Sequence, residues 1–144
     1  MDPFARKMWR FGFGFAGLML LLFAVLTAFY VHKWPKCPDR RVAETDNPDH
    51  KWVAAILERR CGPESPFITR VNLRPAGPLQ RGFFSGEVNS GTVFVIEQDA
   101  QGAAITLLWP ANNALIIRCA HCNPAFIRRS DQHWGAVSIH YELP

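Results

Sequence analysis

Two cysteines three residues apart, in Cys119-Ala-His-Cys122, are the side chains here whose type and spacing could do chemistry. Three chemistries compete for them. A C-x-x-C turn followed by a residue that tolerates left-handed backbone, here Asn123, can present two thiolates to one zinc ion. Zinc takes four ligands, so Cys37, Cys61, His121, His133 or His140 would have to complete the set, and the sequence has no second paired motif. Cys119 and Cys122 are thus only weak metal candidates. A redox dithiol wants a thiol activated at a helix N-terminus beside a βαβ pattern, whereas this pair lies between β-like segments.

The third reading is structural: Cys37, Cys61, Cys119 and Cys122 are disulfide candidates in an oxidising compartment, with three pairings open. The compartment rule favours it. Within it, Cys61 is the expected long-range partner of one member of the pair, and a bridge from Cys61 to Cys119 would contribute about 4 kcal/mol. The histidines are scattered over turns and polar strand positions. They form no nucleophile–base–acid set, so no catalytic residue and no cofactor is expected.

The elements that would position these cysteines begin with an apolar run. From Phe11 to Val31 there is no charged residue, and as a helix the run is about 30 Å long, the hydrocarbon thickness of a bilayer. Trp9 precedes it, while Tyr30 and Trp34 sit at its far end, where aromatics anchor at membrane interfaces. The run is longer than a signal-peptide core and lacks a small-x-small cleavage site, so an uncleaved anchor is expected in the lipid bilayer. A basic tail over residues 1–10 (Arg6, Lys7, Arg10) places the N-terminus in the cytoplasm and the rest outside the inner membrane, in a periplasmic or otherwise extracytoplasmic setting.

The formal charge of +4 is concentrated around that run. From Val42 onward nine Lys and Arg face ten Asp and Glu, leaving no basic stripe for phosphate neutralisation and no nucleic-acid partner. Arg59-Arg60 and Arg128-Arg129 read as solvated charges.

Residues 32–47 read as a polar juxtamembrane linker, and residues 48–144 as the folded part. Lys51–Arg59 is apolar on both faces, as in a buried central strand. Phe67–Arg74 alternates: Phe67, Thr69, Val71 and Leu73 face one way, Ile68, Arg70, Asn72 and Arg74 the other. After a Gly- and Pro-rich loop over residues 75–91, Thr92–Gln98, Ala103–Trp109, Ala114–Cys119 and Ala136–Glu142 follow as strands, with a short extra one near Phe126–Arg129. The expectation is an all-β, small antiparallel sheet or sandwich-like domain after one transmembrane helix.

Asn47-Pro-Asp-His-Lys-Trp-Val53, Glu58-Arg-Arg-Cys-Gly62 and Phe67–Arg74, with Gly91-Thr-Val-Phe-Val95 and Gly135–Tyr141, carry a resemblance. The chain resembles a family of small exported or membrane-anchored bacterial proteins with an uncharacterised domain, in which a Pro-Asp turn leads to Cys-Gly and a Thr/Val-rich strand. The resemblance covers residues 45–142 and implies fold and location, with no activity attached. The expected role is a non-enzymatic binding or accessory module of a membrane complex. A thiol-redox or zinc protein centred on Cys119 and Cys122 is the alternative.

Overall fold

The computed structural model describes residues 3–33, 37–79, 81, 88 and 90–144, with the backbone alone at 3–13 and 32–33. It divides into two units, residues 1–35 and 36–144. The first is one helix, α1 (Pro3–Lys33). Its stretch Gly14–Val31 is long and apolar enough to cross a membrane, and its apolar side chains are exposed. Tyr30, at its far end, is exposed too. Trp9 lies on the helix backbone, while Trp34 falls outside the described residues.

The second unit is all-β, in two sheets. Strands β1 (Arg40–Asp46), β2 (Trp52–Arg59), β3 (Ile68–Pro75), β4 (Thr92–Ile96) and β7 (Ile127–Ser130) form an antiparallel sheet in the order β1-β2-β3-β4-β7. Strands β5 (Ile105–Ala111), β6 (Ala114–Cys119), β8 (His133–Trp134) and β9 (Val137–Glu142) form the other, ordered β5-β6-β9-β8. One helical turn, α2 (Ala100–Ala103), joins β4 to β5.

The all-β, sandwich-like expectation holds, with two refinements. β6 and β9 run parallel, because the chain leaves β6, adds β7 to the first sheet and only then returns as the β8–β9 hairpin. The expected linker is shorter than residues 32–47, because Arg40–Asp46 pairs along β2 as an edge strand. β1 is polar and exposed except for Thr45, so it has no apolar alternation to betray it.

Every residue from Val53 to Glu58 is buried, as the two-faced apolar pattern predicts. Ala54 and Ile56 join Val71, Leu73, Phe94, Leu115, Ile117 and Ile139 in the core between the sheets, whereas Ala55 and Leu57 meet Val88 and Leu79 on the opposite face. Asn47, 1% exposed, shapes the β1–β2 turn. Its Oδ1 accepts from the Lys51 and Trp52 amides at 2.9 and 3.0 Å, and its Nδ2 donates to the Asn112 carbonyl at 2.8 Å, tying the hairpins of the two sheets together.

At the far edge, the Tyr141 hydroxyl donates to the Asp131 carbonyl at 2.6 Å. Burial first, then the nearby Asp131 charge, pushes this phenol up to about 12, against the opposing pull of Arg129. A folded-state value above the unfolded one (about 10,) means the neutral phenol is favoured by folding. That stability is fully present below pH ~10 and lost as pH rises towards the folded value. In pH-dependent unfolding, the wild-type midpoint should therefore fall more steeply between pH 10 and 12 than that of Tyr141→Phe; parallel curves would contradict the assignment.

Candidate functional site

The four cysteines pair as Cys37–Cys61 and Cys119–Cys122, leaving no free thiol. The expected Cys61–Cys119 bridge is thereby corrected. Arg40 sits opposite Glu58 in the β1–β2 register. Three residues further out on each strand, Cys37 and Cys61 continue that pairing with Cα atoms 4.9 Å apart. Cys61 thus has a cross-strand partner in a segment expected to be linker. The distant pair closes on itself at a Cα–Cα distance of 5.5 Å, where β6 ends and the chain turns towards the 3₁₀ turn Pro124–Phe126.

Cys119 and Cys122 are 0% and 4% exposed, and backbone bonds from Ala120 and His121 to Ala104 and Ala103 pin the turn against α2. Their sulfurs are bonded to each other and shielded from solvent. Among the described residues no three His, Cys, Asp or Glu side chains converge as a metal site. His121, His133 and His140 are exposed.

The structure instead gathers polar chemistry on the outer face of the five-stranded sheet. Arg70, Asn72 and Arg74 of β3 alternate with Thr69, Val71 and Leu73 and so face away from the core, and register fills in their neighbours. Arg70 lies between Leu57 and Val95, Val95 lies beside Arg129, and Arg59 pairs with Ile68. Two hollows sharing Val88 and Ser90 open on this face. One, of about 560 Å³, is lined by Arg59, Arg70, Arg129 and Trp134 among others; the other, of about 310 Å³, by Asn72, Arg74 and Leu79.

Among the described residues, each acid of this face has a cationic neighbour. Asp39, whose side chain is wholly buried, accepts from the Arg70 guanidinium, itself 12% exposed, and from the Val88 amide at 2.7 Å. Glu44 accepts from Arg74 at 3.1 Å and from Arg41 at 3.2 Å, and Asp131 accepts from Arg129 at 2.5 Å. Burial, followed by the Arg70 charge, holds the Arg59 guanidinium below its ordinary value, partly offset by Asp39.

The remaining arginines of the two pairs read as solvated are engaged at the surface. Arg60 stacks 4.7 Å over Phe67, and Arg128 pairs with Glu97 at 2.7 Å. The arginine face escaped the sequence analysis because an outward position on a half-buried strand reads as solvent. Its one legible signal was two arginines and an asparagine at alternate positions of β3.

Removing one partner of a buried ion pair strands the other charge, so Asp39→Asn should destabilise the domain by about 3 kcal/mol. Adding Arg70→Met should recover much of that loss, read from denaturant midpoints of the full-length chain; a silent Asp39→Asn would show that the pair is not buried in solution. Chain entropy ranks the disulfides: losing Cys37–Cys61, with a separation of 24, should cost about 3.5 kcal/mol, and losing the three-residue Cys119–Cys122 loop about 2 kcal/mol. Paired Cys→Ser variants compared in the same assay check that order. In comparisons with family models, curated proteins and solved structures, the chain matches none.

Proposed function

We propose that the chain is a single-pass, membrane-anchored binding module. In this reading α1 is an uncleaved anchor with its N-terminus in the cytoplasm. The β domain works outside the inner membrane, in the periplasm of a bacterial cell, as an accessory part of a larger membrane complex. The observation that carries the reading is the pairing of all four cysteines beyond the apolar helix. Paired thiols belong to oxidising compartments, and an exposed apolar helix of this length has a bilayer as its natural solvent. The resemblance to exported and membrane-anchored bacterial proteins supports the same setting.

The near balance of charge beyond the anchor, and a polar face with shaped hollows, suit recognition better than turnover. Burial of Cys119 and Cys122 weighs against the thiol-redox or zinc alternative.

Two measurements test the proposal. Full-length protein isolated from membranes without reductant should be lighter than its reduced form by four hydrogens and take no alkylating label, since both pairs are closed. Free thiols would reverse the proposed orientation. Cross-linking in intact membranes, followed by mild-detergent extraction, should return the chain in a complex with a second membrane protein. Recovery as a lone monomer at every cross-linker length would remove the accessory role.

A further inference from the structure

We infer that Arg74 and Asn72, with Arg70 beside them, form an oxyanion-binding site on the outer face of the five-stranded sheet. Its ligand would present a carboxylate or phosphate group on a small apolar body. The inference names the ligand chemistry of the binding module and rests on that reading for its setting only.

The Arg74 side chain is 12% exposed, and its acidic partner among the described residues, Glu44, meets Nη2. Its Nε and Nη1 are buried and meet no acceptor among the described residues, and the same holds for Nε of Arg70. A guanidinium carries five N–H donors in a planar fork, and a buried donor left unmade is destabilising. These groups are therefore preset for an oxygen acceptor. Guanidinium forks match carboxylate and phosphate oxygens in both geometry and charge.

Asn72 is fully buried; its Nδ2 donates to the Ser90 carbonyl while its Oδ1 meets no donor among the described residues. That leaves a free acceptor beside free donors, suited to an anion that also carries a hydroxyl or N–H.

The backbone around this cluster is shaped to hold it open. Register slips between Val71 and Asn72 where β3 meets β4. Gly91 follows with φ +79°, and a Cβ there would lie 2.1 Å from the Leu73 carbonyl oxygen. Only glycine lets this strand pass so close, and the passage sets the Ser90 carbonyl on Asn72. The 310 Å³ hollow has Arg74 and Asn72 on one side and Pro75, Leu79 and Val88 as apolar walls. This volume lies at the small end of ligand pockets, where apolar lining with a few convergent polar groups is the usual composition. Among the described residues, the acids of this face do not oppose an incoming anion with bare charge: Asp39, Glu44 and Asp131 are each bonded to an arginine.

The test uses the full-length chain, with ¹⁵N-labelled arginine, in uncharged maltoside micelles. Sodium acetate and sodium phosphate are titrated separately, with ionic strength held constant by chloride. The Arg74 Nε–Hε signal should shift saturably with at least one of them. Read at the Arg70 Nε–Hε signal, Arg74→Lys should weaken binding at least tenfold, while Arg118→Lys, at an exposed pair with Glu142 on the other sheet, should leave it within twofold. Asn72→Asp, which supplies a carboxylate of its own, should abolish the titration with the amide spectrum otherwise retained, so that loss of binding is separable from loss of fold.

Nanodiscs distinguish the source of the anion. A bound-position Arg74 signal in phosphatidylglycerol discs but not in phosphatidylcholine discs, with no anion added, assigns the site to a lipid headgroup; saturation by acetate or phosphate in micelles assigns it to a free ligand. Linear shifts shared by wild type and Arg74→Lys, together with no response in either disc, overturn the inference. That failure would leave the cross-linked complex of the accessory role untouched, so the two readings fall separately.

Discussion

A strand that is apolar on both faces cannot lie on the surface of anything, and β2 imposes that constraint on this domain. Val53 to Glu58 are buried without a break. One face needs a second sheet against it, and β5, β6 and β9 supply it through Ile105, Leu115, Ile117 and Ile139. The other needs cover as well, and Val88 and Leu79 lie over Ala55 and Leu57. At roughly 25 cal/mol per Å² of apolar surface, leaving either face wet would cost more than such a domain has to spare. The sandwich, and the chain folded back behind its outer sheet, are two answers to one demand.

That second cover changes what the outer face can be. On an ordinary half-buried sheet, arginines at alternate positions would extend into water. Here Val88 reaches the sheet and its amide is fixed by Asp39, which also holds Arg70. The acid must be buried for the amide to be held, and the guanidinium must be buried to neutralise the acid. A polar cluster under partial cover follows from a hydrophobic requirement on the neighbouring strand, and Trp134 and Arg129 extend it across the edge of the sheet.

How much of this was legible follows from what each residue could betray locally. β6 was readable to its ends, Ala114 and Cys119, because Leu115 and Ile117 alternate with less buried neighbours. β3 was readable by the same period of two, and its inward set, Thr69, Val71 and Leu73, is fully buried. β1 was not, since an edge strand with water on its flank needs no apolar pattern, and it passed for linker. The cysteine pairing was not either: it depends on register between β1 and the end of β2, and no one expects a register partner in a segment not recognised as a strand. The parallel contact of β6 with β9 arises because β7 joins the other sheet, a long-range choice that local periodicity does not encode. The arginine cluster was half legible, in that composition placed its members on one face but could not tell that the face is covered.

The placement of Cys37 has a mechanical meaning. Chain entering the β domain from α1 reaches Cys37 just before β1, and β1 is an edge strand held by a single neighbour. Tension on the connecting segment would otherwise act on that edge one hydrogen bond at a time, the geometry in which a strand unzips most easily. The covalent link to Cys61 diverts the load past β1 to the end of β2, whose residues from Val53 to Glu58 are all buried. Load reaching Cys37 from the N-terminal side thus passes to the end of β2, and the edge strand is excluded from the load path.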